Sequence, residues 1–285
     1  MRRTPKRICC VADIGINHNG DIDTAAWLIA RCAVAGFDVV KFQKRTINMV
    51  YTREQLRAPR VSPFGITNGQ QKYGLEFSRD EYEQVDHVAK ANHIAWTASV
   101  WDTRSVEFLA EFNPPYIKIP SACAADRDVL DAATSTEIPL QLSTGMLDLP
   151  SIVRIVDYIT ATGGTIDCVM HCVSTYPCPI EDLNLNAITT LQRALPGVTI
   201  GYSGHEVGVS TTLMAVVLGA EVIERHVTKS RAMYGSDQAA SLEPLAFDRV
   251  VRDVRTWEKA RGSGDIVVTD GEQLVADKLR RSKDF

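Results

Sequence analysis

A chain of 285 residues exceeds the roughly 100 to 200 residues of a usual domain, yet lies within the range of a single α/β barrel. Its 45% hydrophobic and 23% charged residues are those of an ordinary globular protein and exclude disorder or a collagen-like repeat. A net charge of −4, from 35 acidic and 31 basic residues, leaves no cationic surplus for a nucleic-acid backbone, so no nucleic acid is expected as partner, while a local pocket for a small anion stays possible.

From the start, Met1–Arg7 is basic, but Asp13 interrupts the apolar run behind it too early for a secretory signal. No stretch approaches the roughly 18 apolar residues of a membrane span; Leu213–Ala220 comes nearest. The cytoplasm is the expected compartment, with no membrane partner. The seven cysteines form no C-x-x-C pair and read as reduced thiols, mostly buried.

Short runs rich in Val and Ile alternate with segments of helical periodicity, the mark of repeated βα units around a parallel sheet. The runs are Ile8–Ile16, Asp38–Lys44, Ile94–Val100, Tyr116–Ser121, Pro139–Thr144, Thr165–Ser174, Thr199–His205 and Val222–Thr228. Between the first two, Asp21 and Asp23 precede the apolar stripe of Ala25, Leu28, Ile29 and Cys32, and Gly36 closes the predicted helix. Gly163-Gly164, Pro196-Gly197 and Gly219 punctuate later units in the same way. Residues 47–79 form a long insertion after the second strand, expected as a lid or rim element. The fold read from this pattern is α/β, a (β/α)₈ TIM barrel over residues 1–264 with a short C-terminal extension over 265–285.

Residues two apart on a strand point the same way, and the C-terminal ends of barrel strands face the active site. Polar residues recur there in such pairs: Lys41/Gln43, Ser174/Tyr176, Ser203/His205 and Glu224/His226, joined by Lys118/Ser121, Ser143 and Asp13 with Asn17/His18. Polar groups inside an apolar sheet are costly unless paired or used. His205 and His226, at the ends of adjacent strands, make a partial ligand set for a divalent transition metal; the bland alternative is two core histidines bonded to backbone carbonyls. Lys41 and Lys118, with the hydroxyls of Ser121, Ser143, Ser174 and Ser203, describe a pocket for a small phosphate or carboxylate, unless Asp13 or Glu224 neutralises one of them. A Schiff-base lysine stays open as well. His171 reads as structural, His18 as rim contact or turn in equal measure, and His87 and His93 carry no assignment. No Gly-rich loop of the G-x-G-x-x-G or Walker type is present, so a nucleotide cofactor is not indicated.

With these residues placed, the chain resembles the sialic acid (N-acetylneuraminate) synthase family over nearly its whole length. The resemblance rests on Asp13-Ile14-Gly15-Ile16-Asn17-His18-Asn19-Gly20, Val40-Lys41-Phe42-Gln43, Lys118-Ile119-Pro120-Ser121, Leu142-Ser143-Thr144-Gly145-Met146, His171-Cys172 through Tyr176-Pro177, Tyr202-Ser203-Gly204-His205, Glu224-Arg225-His226, and Gly235-Ser236-Asp237-Gln238 with Ser241-Leu242-Glu243-Pro244. It implies a metal-dependent enzyme, a homodimer, that condenses phosphoenolpyruvate with an aldose of the N-acetylmannosamine type, giving a nonulosonic acid and phosphate. Carried over, Lys41, Lys118, Ser121, Ser143, Ser174 and Ser203 hold phosphoenolpyruvate, with Ser174 standing where the family often has asparagine. His205 and His226 hold the divalent metal, Mn2+ in first place with Mg2+ or Co2+ as alternatives. Asp13, Gln43, Tyr176 and Asp237 act at the sugar or the reacting centre.

Three departures concern the acceptor: Asp13 stands where the family usually has glutamate, Cys123 where a glutamate is common, and the sequence stops where family members continue into an antifreeze-like domain. These leave either a compact enzyme with a different acceptor or a chain cut at the domain boundary. Two rival readings are a metal-dependent barrel isomerase or hydrolase of sugar phosphates, and a catalytically silent barrel that binds a sugar acid.

Overall fold

The computed structural model describes residues 7–282. The basic residues 1–6, on which the reading of the start rests, and the last three residues of the C-terminal extension lie outside the described residues.

Eight parallel strands close a barrel in which each lies beside its predecessor in the chain. They are β1 (Cys9–Gly15), β2 (Val39–Lys44), β5 (Ala95–Val100), β6 (Ile117–Ile119), β7 (Leu140–Ser143), β8 (Ile166–Cys172), β9 (Ile200–Gly204) and β10 (Val222–His226), each inside one of the runs read from the sequence. The segment between β2 and β5 holds the short helices α2 (Ile47–Val50) and α3 (Arg53–Arg57), a hairpin of β3 (Pro59–Ser62) and β4 (Gly65–Thr67), and α4 (Asn68–Leu75).

Alternation along the strands divides the molecule into two cores. Ala12, Val40, Phe42, Ala98, Ile117, Ile119, Val169 and Ile200 face outward and pack under the helices, with Leu28, Ile29, Val85 and Leu109 supplied from the other side. The opposite alternate positions face the barrel axis, where Val11, Val39, Tyr116, Cys168, Met170 and Val222 form a separate inner cluster. That apolar plug fills the lower barrel, so the polar residues one or two steps further along the strands stand above it. At Gly201 a Cβ would come within 2.9 Å of Cys168 Sγ, which shows how little space the plug leaves.

Local chemistry sets the helix limits. The first helix, α1 (Ile22–Ala35), begins where Asp21 accepts from Asp23 N and ends at Gly36, whose φ of +90° is cheap only for glycine.

Candidate active site

Strand register builds the site. Asp13 pairs with Lys41 on one side and with His226 on the other. Gln43 pairs with Ser99, and Ser99 with Lys118. Cys172 pairs with Ser203, and Ser203 with Glu224. Paired positions share a face of the sheet, so side chains distant in sequence reach one height around the axis.

They surround a cavity of about 270 Å³ at the C-terminal ends of the strands. Asp13, Lys41, Gln43, Lys118, Ser121, Ser143, Ser174, Tyr176, Ser203, His205 and His226 all line it. Asp237 does not; it stands outside the wall and reaches the site through Gln43, whose Nε2 lies 3.5 Å from Asp237 Oδ2. Cys123 is buried away from the cavity, its thiol 3.7 Å from the Trp101 carbonyl. His171 bonds the Leu183 carbonyl at 2.7 Å and lines a neighbouring cavity instead.

A (β/α)₈ barrel of the sialic acid synthase type was the sequence expectation, and comparison with known proteins agrees on the fold and the family. The model of the NeuB family matches residues 28–266. The chain belongs to the NeuB family. It is 37% identical over 274 residues to N-acetylneuraminate-9-phosphate synthase of Mus musculus, covering 95% of this chain and 76% of that protein. It is 30% identical over 279 residues to N,N'-diacetyllegionaminic acid synthase of Legionella pneumophila, covering 95% of this chain and 78% of that one. A solved structure of N-acetylneuraminic acid (sialic acid) synthetase from Leptospira borgpetersenii, in complex with citrate, superimposes with a TM-score of 0.84 at 27% identity, over 97% of this chain and 94% of that chain.

In this NeuB-family site both lysines are paired. Lys41 Nζ lies 2.7 Å from Asp13 Oδ2, 2.9 Å from Ser99 Oγ and 3.6 Å from Glu224 Oε1. Lys118 Nζ is 3.2 Å from Glu224 Oε2, an ion pair without a formed hydrogen bond. Burial alone would push the Lys41 ammonium down, but the carboxylates of Asp13 and Glu224 push it above the usual lysine range. Burial works to raise Glu224, and against it Lys118 and Lys41, with the Ser203 hydroxyl donating at 3.0 Å, bring its carboxyl to about 2. Sequence reading allowed for one neutralised lysine; Glu224 in fact bridges both. A Lys41 held as ammonium has no lone pair with which to form an imine, which counts against the Schiff-base alternative at that residue.

The metal implied by the resemblance would lie at the two histidines. Their rings lie 5.5 Å apart, and Tyr176 packs 4.1 Å from that of His205. His205 Nδ1 donates to the Val173 carbonyl at 2.8 Å, which leaves the lone pair on Nε2. His226 Nε2 is 3.4 Å from Asp13 Oδ2, while its buried Nδ1 and Asp13 Oδ1 have no partner. Among the described residues no three His, Cys, Asp or Glu side chains gather as a metal cage. Two imidazoles, one with an orphaned nitrogen, beside a carboxylate with an orphaned oxygen fit an open, partial ligand set completed by water and substrate oxygens, and do not fit a closed structural site.

Sequence reasoning missed Ser99 and Trp101, which line the cavity, and Gly145, which shapes it. Ser99 carried a usable signal, because Thr97/Ser99 is another polar pair two apart on a strand. Gly145 lay inside a quoted motif without a role: its amide donates to Ser121 Oγ at 3.1 Å, and its missing side chain lets the Ser121 and Ser174 loops meet over it. Trp101 lies in a connection, where no periodicity marks it.

Proposed function

We propose that this chain, a transferase of the sialic acid synthase type, joins the enol carbon of phosphoenolpyruvate to the C1 aldehyde of an N-acetylmannosamine-like or related aldose. The products are a 2-keto-3-deoxy sugar acid of the nonulosonic type and phosphate. The observation that carries the reading is the register-matched ring of Lys41, Lys118, Ser203, Glu224 and the His205–His226 pair around one cavity, in a chain whose relatives include synthases of nonulosonic acids.

Lys118 and the hydroxyls of Ser121, Ser143, Ser174 and Ser203 would orient the anionic donor; Ser174 Oγ is buried without a partner and thus has its hydrogen bond to give. A divalent metal held by His205 and His226, manganese in first place and magnesium or cobalt as alternatives, would supply Lewis-acid polarisation of the aldehyde oxygen. As C3 of the enol attacks C1 of the aldose, positive charge develops at C2. Water adds there and loses its proton, for which Asp13 Oδ1 is the unpartnered carboxylate oxygen at hand. Breaking the C2–O bond of the adduct then releases phosphate and leaves the ketone. Gln43, Tyr176 and, through Gln43, Asp237 stand toward the mouth, where the acceptor lies.

Incubation with phosphoenolpyruvate, Mn2+ and a panel of aldoses tests this by following inorganic phosphate and product mass. The expected result is one phosphate per molecule of product, whose mass equals the two substrates plus water less phosphoric acid. Phosphate release that does not require phosphoenolpyruvate would point to the hydrolase reading, and no consumption with any aldose to the silent barrel. His205→Ala and His226→Ala are expected to lose bound metal and turnover together, measured by elemental analysis and phosphate release. A cytoplasmic homodimer belongs to the same proposal. Among the described residues no helix is long and apolar enough to cross a membrane.

A further inference from the structure

Among the side chains that line the cavity, the thiol of Cys172 stands where three residues assigned to the donor and the metal meet. Cys172 ends β8, is 7% exposed, and of the seven cysteines is the only one in the cavity wall. On one side Ser121 Oγ donates to its sulfur at 3.6 Å. On another the sulfur lies 3.8 Å from His205 Nδ1, and strand pairing sets Ser203 beside it.

These partners limit what the sulfur can do. A third metal ligand would have to face the lone pair on His205 Nε2, but the sulfur lies toward Nδ1, whose hydrogen the Val173 carbonyl takes. A nucleophile has no step to perform, because the condensation joins two substrate carbons without an acyl or phosphoryl enzyme. What remains is its hold on Ser121. The Ser121 oxygen accepts from Gly145 N at 3.1 Å and its hydrogen goes to the sulfur, so the hydroxyl is fixed from two sides. Sulfur is a weak acceptor. It therefore selects one setting of the hydroxyl without competing with an oxyanion, whose charge-assisted hydrogen bond is roughly twice as strong as a neutral one. When an anionic donor enters, the hydrogen turns from sulfur to the donor oxygen while Gly145 keeps the Ser121 oxygen in place. A carboxylate instead of the thiol would retain that hydrogen, and an apolar side chain would leave it undirected.

We infer that Cys172 is a positioning residue of the condensation, whose sulfur presets the Ser121 hydroxyl and thereby strengthens the binding of phosphoenolpyruvate. This deepens the proposed function and rests on it.

Calorimetric titration of the full chain with Mn2+ alone, and with phosphoenolpyruvate in the presence of Mn2+, tests this. Cys172→Ala is expected to weaken phosphoenolpyruvate about 3- to 10-fold, the effect of leaving one hydroxyl unset, while the Kd of Mn2+ stays within about twofold of native. Cys172→Ser keeps an acceptor at shorter reach and should recover part of the loss. The deciding measurement is the double variant: in a Ser121→Ala background, Cys172→Ala should change the Kd of phosphoenolpyruvate by less than about twofold. An equal loss with and without the Ser121 hydroxyl, or a parallel loss of Mn2+ affinity, would mean that the sulfur only fills space; either overturns the inference and leaves the condensation standing. Should Cys172→Ala lose its native melting profile, Cys172→Ser carries the same cycle. A native protein that does not bind phosphoenolpyruvate brings down the condensation and the inference together.

Discussion

Gly145 shows how one residue can hold a site without contributing a functional group. A Cβ there would stand 2.2 Å from Ser174 Oγ and 2.7 Å from Ser121 Oγ, two of the hydroxyls assigned to the donor. Gly145→Ala must displace at least one of them, so the KM for phosphoenolpyruvate is expected to rise on the order of tenfold, while the fold melts near its native temperature; steady-state kinetics and thermal unfolding check the two halves. His18 illustrates the opposite case, a polar residue that belongs to the fold. Sequence reading weighed rim contact and turn chemistry equally. The ring is buried, stacks 3.9 Å from Phe77 and accepts from Gly20 N at 3.1 Å, which is turn chemistry. Burial lowers this imidazole from 6.5 to about 3. Between those values the unfolded chain binds the extra proton and the folded chain does not, so the contribution is complete above 6.5 and declines as pH falls toward 3. The slope is about 1.4 kcal/mol per pH unit. Urea titrations at pH 4 to 6.5 should show that slope reduced in His18→Gln.

At the scale of elements, the connection after β9 is held by a buried pair that the chemistry does not use. Arg225 Nη1 lies 2.8 Å from Glu206 Oε1, and Arg225 also donates to Thr212 Oγ1 at 2.6 Å and to the Gly208 and Glu206 carbonyls at 3.0 and 2.5 Å. Glu206 follows His205 directly, so this outward-facing arginine fixes the turn that presents the histidine from inside the barrel. Removing one member of a buried pair strands the other, and Arg225→Met is expected to cost about 3–5 kcal/mol by urea unfolding. The segment over 47–79, read from sequence as a lid or rim, is an ordered assembly of short helices and a hairpin. It leans on the loop after β10 through Gln71 Nε2, which donates to Tyr234 Oη at 2.9 Å. None of its side chains lines the cavity. Its Pro, Gly and Asn residues concealed this, because turns inside a compact insertion use the same residues as an irregular loop.

For the whole molecule, the closed sheet separates stability from function: the inner plug and the helix layer hold the barrel, and the polar ring above the plug is free to bind. The C-terminal helix α12 (Asp270–Leu279) buries no residue against that body. Removal of residues 263–285 is therefore expected to leave the urea midpoint unchanged to within about 0.5 kcal/mol, measured beside the full chain. Strand positions, the barrel and the inward face of each polar pair were legible in the sequence, since hydrophobic periodicity is a local property and alternation assigns each side chain a face. Eleven of the twelve assigned site residues line one cavity for that reason. What stayed hidden depends on distances between strands. That Glu224 spans both lysines and that Asp13 lies between Lys41 and His226 are matters of a few ångströms between residues up to about two hundred positions apart. Closure of the sheet sets those distances, and with them which charges are already balanced and which still await a substrate.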